Sequence, residues 1–564
     1  MILFYFYFPF LWLWGEVLAQ EWTINSTRTI QMFTDDRSVK LRAGLYDLSC
    51  QKAGAYPLHF ELENLKAEKK DVIFRIQRSW DKRHTVDYSF SLEPNEKIRK
   101  DILVPYFTDS YNLELQIDVA LKDEPLNSDR TLRAQADISE RFLIVFSDAD
   151  FTSNPSWIED VNNHDYELGT QVHLAHSNQM PRIEGGYDTQ RFMFVDAMLN
   201  LDTEQQQVLL SWVQLGGRLV IYNQPKTKEI PWTLFQGVVS PIKKDAQKLT
   251  FDTLSSLQRE GLYVTQSASD VSLSSTIQRY TLGIGEIDIA FDDTPNMAIL
   301  AILLDEKNHR DPFAERYWNN NFSQRQHENF GVFLLIVLVI LIPIPFVIDR
   351  RFKLGFVISS LSTSICTIIA ILLFSILYYG HSVYGDRFQI VVLNKAQKRF
   401  ALKEQTSLFS NFKIFGTRKT PLDVYRYPLR DHDLKVEYGL SGRIESDGML
   451  PSRKVKYFNT LYFQSTRLRI EHSKNSIQNA MDVPLQDIYL KDASGQLWYA
   501  QNIDANQSMP LKKVQSMTYN FRLLARLDLA PNSFVARMKK SPFWTQDDLN
   551  LELATDELWL IGEL

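Results

Sequence analysis

Two carboxylates in one short segment are the strongest candidates for binding chemistry. Ser147-Asp148-Ala149-Asp150 follows the apolar run Phe142–Phe146, which is typical of a β-strand covered on both faces. Ligands of α/β sheets bind beyond the carboxyl ends of the strands, so Asp148 and Asp150 could hold a divalent cation or a polar ligand. The alternative, and the commoner role of such residues, is a solvated loop that caps the next helix.

Histidine and cysteine patterns predict no metal site and no cofactor. His173 and His176 would point to opposite faces of a strand, and the ten histidines include no His-Glu-x-x-His spacing. No residue is predicted to be catalytic. The net charge of −6, from 62 basic and 68 acidic residues, gives no electrostatic reason to expect nucleic acid as a partner.

A hydroxylated face is a further candidate for recognition. Ser360, Ser364 and Thr367 share one side of a helix predicted over the uncharged run Leu354–Tyr379. Small and hydroxylated residues allow close helix approach and interhelical hydrogen bonds. This face could pack against a neighbouring helix of the same chain or dock to an integral membrane protein partner.

That run has an apolar neighbour, Phe330–Ile348, across the basic segment Asp349–Lys353. Each run is long enough to cross a hydrocarbon core of about 30 Å as a helix. The positive charges predict that the tip is cytoplasmic. We therefore expect a transmembrane helical hairpin over 330–379 in the bilayer of the bacterial cytoplasmic (inner) membrane. A multi-pass protein with both large parts extracytoplasmic, or periplasmic, would result.

The N-terminus is consistent with export. The apolar run Ile2–Trp14 precedes Val17 and Ala19, which suit a signal-peptidase site and predict a signal peptide over residues 1–19. No Lys or Arg precedes the run, so an uncleaved anchor is the alternative. Cys50 would be exported and Cys366 would lie in the membrane, so we predict no intramolecular disulfide between them.

The exported part before the hairpin divides in two. Residues 20–139 alternate apolar and polar side chains at period two, as in Leu58–Leu62 and Leu113–Leu121, which predicts an immunoglobulin-like β-sandwich. In residues 140–327 strands alternate with a helix that Asp202 caps and that Gly216-Gly217 ends, before the strand Arg218–Tyr222. This order predicts a doubly wound α/β domain.

Several segments of that domain resemble class I glutamine amidotransferase-like domains. They are Gly186-Tyr187-Asp188, the strand through Asp196, the Trp212–Val220 segment and Tyr280–Asp292. The closest similarity is to uncharacterised membrane-anchored bacterial proteins with an exported β-sandwich, such a domain and a transmembrane hairpin. The resemblance implies the fold. It argues against the chemistry, because that family needs a cysteine nucleophile and this domain contains none.

Residues 381–564 return to strand patterns and predict a β-rich exported domain. Ile488–Asp492 and Gln496–Ala500 flank Ala493-Ser494-Gly495, which predicts a hairpin with a three-residue loop. The predicted fold class is thus multidomain α/β plus all-β. The predicted function is that of a membrane-anchored, non-catalytic scaffold or accessory binding protein for a transporter or envelope assembly, with a pseudoenzyme domain. The alternative is an exported hydrolase or metal- or ligand-binding enzyme that uses the α/β domain.

Overall fold

A computed structural model of the chain describes a β-rich protein with five sheets. The described residues are 29–46, 48, 54–78, 84–106, 113–125, 131–134, 142–148, 171–224, 230, 232–235, 247–249, 277–291, 347, 350, 351, 361, 364, 365, 367, 368, 383–395, 397–410, 418–420, 424–428, 434–439, 442–446, 455–473, 476–517, 529, 531–543 and 551–564.

The N-terminal strands form where apolar and polar residues alternate, because this pattern gives a strand one face to bury. They are β1 (Thr29–Phe33), β2 (Val39–Leu45), β3 (Gly54–Asn64), β4 (Lys70–Arg78), β5 (His84–Leu92), β6 (Lys97–Tyr106), β7 (Leu113–Leu121) and β8 (Thr131–Ala134). The prediction of a β-rich N-terminal part is confirmed.

Two sheets face each other in this part, which we call the first sandwich. One has the order β1-β2-β3-β6, and the other contains β5, β4, β7 and β8. The ring of Phe60 on β3 lies 5.0 Å from that of Phe74 on β4 and 5.4 Å from that of Phe90 on β5. Apolar side chains from both sheets therefore share one core.

The next elements form the parallel-sheet unit. The strands are β9 (Phe142–Phe146), β10 (Gln171–Ala175), β11 (Phe192–Asp196), β12 (Arg218–Gln224), β13 (Gln247–Leu249), β14 (Ile277–Leu282) and β15 (Gly285–Phe291), and α1 spans Thr203–Gln214. Five strands are parallel in the order β10-β9-β11-β12-β15, and β14 and β13 extend the sheet in antiparallel fashion.

Local signals of the sequence are confirmed at both ends of α1. Asp202 accepts a hydrogen bond from the Gln205 amide while the Gln205 side chain accepts one from the Asp202 amide, which is a capping box. β12 begins directly after Gly216-Gly217. Gly283, at φ +62, lies in the tight turn between β14 and β15.

The predicted doubly wound α/β fold is wrong. Such a domain covers both faces of its sheet with helices, but strand predominates in the described residues and α1 is the one α-helix described throughout its length. A ring from a loop takes part in the cover: Tyr187 contacts both Phe146 on β9 and Trp212 on α1. A continuous apolar strand indicates that both of its faces are buried, but it does not indicate which elements pack against them. The run Phe142–Phe146 therefore could not show whether helices or loops cover the sheet.

The remaining strands follow residue 382. They are β16 (Val383–Asn394), β17 (Arg399–Ser410), β18 (Arg418–Thr420), β19 (Val424–Pro428), β20 (Leu434–Gly439), β21 (Gly442–Ser446), β22 (Val455–Ser465), β23 (Arg469–Ser473), β24 (Ser476–Ala480), β25 (Leu485–Lys491), β26 (Leu497–Ile503), β27 (Ser508–Pro510), β28 (Lys512–Lys513), β29 (Ser533–Met538) and β30 (Leu551–Glu563).

Most of these strands form a nine-stranded sheet in the order β19-β22-β17-β16-β30-β29-β25-β26-β28. The predicted hairpin at Ala493-Ser494-Gly495 is confirmed, since it joins β25 and β26. A second group leaves this region: β20 pairs in parallel with β5, so β18, β21 and β20 extend the sheet of the first sandwich. The third group, β23, β24 and β27, is a small separate sheet.

The predicted localisation, a multi-pass inner-membrane protein, is contradicted. No helix in the described part of the chain is both long and apolar enough to span a membrane. Arg350 and Arg351, which the hairpin required in its tip, are helical residues. The runs Phe330–Ile348 and Leu354–Tyr379 lie largely outside the described residues, as do the predicted signal peptide and Cys366.

Candidate functional site: a cleft between three β-rich parts

Of the predicted carboxylate pair, Asp148 is the member that the structure describes. Asp148 accepts hydrogen bonds from the Ser177 amide at 2.9 Å and the Ser177 hydroxyl at 2.7 Å. It thereby caps the short 3-10 helix Ser177–Gln179, and its side chain is 49% exposed. Asp150 lies outside the described residues. No cluster of three metal-ligating residues occurs within the described ranges.

A second carboxylate at the same sheet edge is buried. Asp196, at the end of β11, accepts hydrogen bonds from the Ser147 hydroxyl at 3.3 Å, the Asn223 amide group at 3.2 Å and the Met198 main chain at 2.9 Å. Asn223 stands at the end of β12 with φ +61. The three side chains meet because parallel strands end at one edge. Asp196 is thus committed to positioning neighbouring loops.

The hydroxylated face is described in part. Ser364 and Thr367 are helical, and Ser364 is exposed, while Ser360 lies outside the described residues.

A different carboxylate, Asp188, joins the three parts of the molecule. It accepts hydrogen bonds from the Lys403 ammonium on β17 at 2.9 Å and from the Ala55 amide on β3 at 3.1 Å. The Tyr427 hydroxyl on β19 also donates to it, and Asn459 on β22 donates to that hydroxyl at 3.0 Å. We call this group of five residues the junction. Its bonds link the first sandwich, the parallel-sheet unit and the nine-stranded sheet.

The local sequence presents Asp188 to these partners. Main-chain hydrogen bonds from Gly186 to Ile183, Asp188 to Gly185 and Gln190 to Tyr187 fold this segment into consecutive turns. Gly54 on β3 approaches the carboxylate so closely that a Cβ atom there would lie 2.9 Å from Asp188 Oδ2. Burial is nearly complete, with side-chain exposures of 6% for Asp188 and 5% for Lys403.

A second ion pair crosses between the same parts. The Arg399 guanidinium on β17 donates to Glu184 Oε2 at 2.6 Å, and the Ser211 hydroxyl on α1 donates to Glu184 Oε1 at 2.9 Å. Burial raises the pKa of Glu184, although Arg399, Ser211 and Gln207 act in the opposite direction. Burial and the Asp188 carboxylate raise the pKa of the Tyr427 hydroxyl, which stays protonated as a donor.

Beside these contacts lies a cleft of about 780 Å³. Its walls come from β5 and β6 of the first sandwich, from residues 182–184 and α1, and from β17, β19 and β22. The lining combines aromatic, aliphatic and charged side chains. It consists of Tyr88, Ser89, Phe90, Lys100, Asp101, Ile102, Leu103, Arg182, Ile183, Glu184, Thr203, Glu204, Gln207, Val208, Arg399, Tyr425 and Phe463.

The charged residues of the cleft differ in how they are engaged. Arg399 is paired with Glu184, and Arg182 pairs with Asp202 at 2.8 Å. Lys100 forms no ion pair with a described residue; its ammonium lies 6.0 Å from the centroid of the Phe90 ring. Among the described residues, Lys100 is therefore a cation of the cleft without an ion-pair partner, and it lies beside an aromatic surface.

Sequence reasoning missed the cleft and the chemistry of the junction. Gly186-Tyr187-Asp188 is part of the predicted resemblance, but the sequence does not indicate that Asp188 bridges three parts of the molecule. Lys403 and Tyr427 lie 215 and 239 residues away from Asp188 in the chain. No local pattern reports such a separation.

Comparisons with known proteins add no functional identification. No family model matches the chain, and no curated protein matches it. Among solved structures, a calcium-binding mutant of Bacteroides uniformis beta-glucuronidase 2 is 11% identical with a TM-score of 0.14, covering 33% of this chain and 24% of that one. The yeast delta-COP-I mu-homology domain in complex with a Dsl1 peptide is 8% identical with a TM-score of 0.16, covering 32% and 95%.

A third structure, a Paenibacillus sp. cycloisomaltooligosaccharide glucanotransferase complexed with cycloisomaltoheptaose, is 7% identical with a TM-score of 0.14, covering 32% of this chain and 39% of that one. Similarities this weak carry no argument about fold or function.

Proposed function

We propose that the protein is a non-catalytic scaffold or accessory binding protein whose binding region is the cleft. The observation that carries this proposal is the position of the cleft, where three β-rich parts meet beside the junction. Ligand sites occur preferentially at such interfaces, and a volume of about 780 Å³ lies within their usual range.

Rigid walls support this role. Asp188 and Lys403 form a buried charge pair between two parts of the molecule, and Arg399 and Glu184 form a second pair that is partly exposed. A cleft with walls fixed in this way loses little conformational freedom when a ligand binds, which favours affinity.

The chemistry of the sheet edge favours binding over catalysis. Asp148 caps the turn at Ser177, and Asp196 accepts three hydrogen bonds from its neighbours. The serine hydroxyls at this edge, those of Ser177 and Ser147, donate directly to the carboxylates and so serve to hold the loops. The hydrolase alternative therefore has no specific observation in its favour.

A variant that fills the cleft tests the proposal. Ser89 is exposed on β5 and lines the cleft, so Ser89→Trp should occupy the space without disturbing a core. Ser473→Trp, at an exposed serine on β23 outside the lining, is the matched control. Quantitative mass spectrometry after crosslinking in native cells should find a partner retained by the control and by the unaltered protein but lost with Ser89→Trp.

Folding must be equal in all three proteins, as checked by circular dichroism and the urea midpoint. If every reproducible partner survives Ser89→Trp, the cleft is not the binding region and the proposal fails. A hydrolytic activity that disappears on Asp148→Ala would instead favour the enzyme.

A further inference from the structure

We propose that the cleft binds an extended peptide segment of a partner protein, which adds as a strand to the edge of β6 that pairs with no described strand and places an acidic side chain opposite Lys100. This inference rests on the proposed function, because it names the ligand class of the same cleft.

The cleft runs along the edge of β6. Four consecutive residues of that strand, Lys100 to Leu103, all line it. Successive side chains of a strand point to opposite faces, so a cavity against one face would be lined by alternate residues only. A consecutive run indicates that the cavity borders the strand edge, where main-chain N–H and C=O groups project.

This edge has no partner strand among the described residues. β6 is the last strand of the order β1-β2-β3-β6, and its other edge pairs with β3 from Glu63↔Lys97 to Gly54↔Tyr106. An unpaired edge is a template for strand addition, in which main-chain hydrogen bonds supply affinity. Four residues of strand span about 13 Å.

The side chains around the edge indicate what the added strand would carry. Lys100 is opposite Phe60 in the register, which places Lys100 on the core side of β6 near the Phe90 ring. A residue added opposite Lys100 would meet an ammonium group that has no ionic partner in the part of the chain that the structure describes. Its neighbours two positions away would meet Ile102 and the aromatic surface of Tyr88 and Phe90.

The expected ligand is therefore an alternating segment with one acidic residue flanked, two positions away, by β-branched or aromatic residues. Opposite charges directly across a strand pair stabilise the pairing, and like charges oppose it. Glu184 and Glu204 also line the cleft, and their carboxylates would disfavour a second acidic residue beside them.

A phage-displayed library of random twelve-residue peptides tests the ligand class. Selection on the full-length protein, with counter-selection on Ser89→Trp, should enrich the alternating acidic pattern. Enrichment of helical or proline-rich sequences, or no enrichment beyond the Ser89→Trp protein, would overturn the inference.

Main-chain pairing is tested with a synthetic copy of the most enriched peptide, measured by fluorescence anisotropy. Methylation of the amide nitrogens on one edge of the peptide removes its donors to β6, while methylation on the other edge leaves them intact. We expect at least a tenfold loss of affinity for one of these two analogues, since several hydrogen bonds are lost together. Equal affinity of both analogues with the parent would exclude strand addition.

The charge contact is tested at both partners. Lys100→Gln should lower the affinity for the acidic peptide by about threefold. It should leave unchanged the affinity for the analogue in which glutamine replaces the acidic residue. Lys66→Gln, at an exposed lysine in a turn outside the cleft, should change neither of these two affinities. Concentration-dependent self-association that Lys100→Gln strengthens would mean that Lys100 only protects the edge, and that a second copy is the occupant.

The outcomes separate this inference from the proposed function. A native partner lost with Ser89→Trp, together with no peptide selected in the expected pattern, would leave a binding protein with a different ligand. Survival of every native partner in the Ser89→Trp protein would remove the proposed function itself.

Discussion

Two regions of the molecule gather carboxylates, and they use them differently. At the carboxyl edge of the parallel sheet, Asp148 and Asp196 are bonded to side chains and amides of loops in the same unit. At the junction, Asp188 of the parallel-sheet unit is bonded to residues from the two other large parts of the fold, the first sandwich and the nine-stranded sheet. The first region shapes loops, whereas the second holds the molecule together.

Burial explains why the difference should matter. Asp148 is about half exposed, so water can replace its partners, but Asp188 and Lys403 are almost fully enclosed. Removing one member of an enclosed pair leaves the other charge without compensation, which is far more costly than breaking an exposed pair. The comparison therefore makes the junction the more sensitive region.

The largest expected effect is that of Asp188→Ala. We expect a loss of about 3–5 kcal/mol in the free energy of unfolding, because Lys403 would be left buried without a counter-charge. The measurement is the urea midpoint followed by tryptophan fluorescence. Glu93→Ala is the control, since its exposed pair with Lys69 should leave the midpoint unchanged. An equally small shift for both variants would show that the junction does not hold the parts together.

A smaller effect is expected from the titration of Glu184 beside the cleft. Burial raises its folded-state pKa above the ordinary value of 4.5. The stability associated with the protonated carboxyl is then fully present below pH 4.5 and is lost as the pH rises through the folded-state pKa. The urea midpoint of the unaltered protein should therefore fall relative to that of Glu184→Gln over this range.

Glu204→Gln, at an exposed carboxylate of the same cleft, is the control for this titration. It should follow the unaltered protein at every pH. If the midpoint of the unaltered protein instead rises relative to Glu184→Gln, the Arg399 guanidinium outweighs burial, and the cleft wall is held by charge attraction.

The sequence predicted the features that depend on near neighbours. The run Phe142–Phe146 is a strand with the predicted bounds, and Asp202 caps α1 as predicted, with Gln205 completing a capping box. Ala493-Ser494-Gly495 joins two strands as expected. Each of these depends on contacts within a few residues, which one sequence displays directly.

What depends on distant segments could not be predicted. Asp188 belongs to the motif Gly186-Tyr187-Asp188, but its partners Lys403 and Tyr427 come from strands more than 200 residues later in the chain. The doubly wound fold failed for a related reason, because an apolar strand does not identify its cover. The membrane hairpin was inferred from hydropathy alone, and the helical conformation of Arg350 and Arg351 differs from the turn that it needed.

The smallest expected effect completes the comparison at the sheet edge. Asp148→Ala removes only a cap on the Ser177 turn, so we expect a loss of no more than about 1 kcal/mol in unfolding free energy. The double variant with Ser177→Ala should be less destabilised than the sum of the two single variants, because both single changes remove the same side-chain hydrogen bond. Adding Mg²⁺ or Ca²⁺ should leave the urea midpoint unchanged. A midpoint that rises with either cation and no longer does so in Asp148→Ala would show that this edge binds a metal, and the contrast with the junction would then be one between a ligand site and a structural bridge.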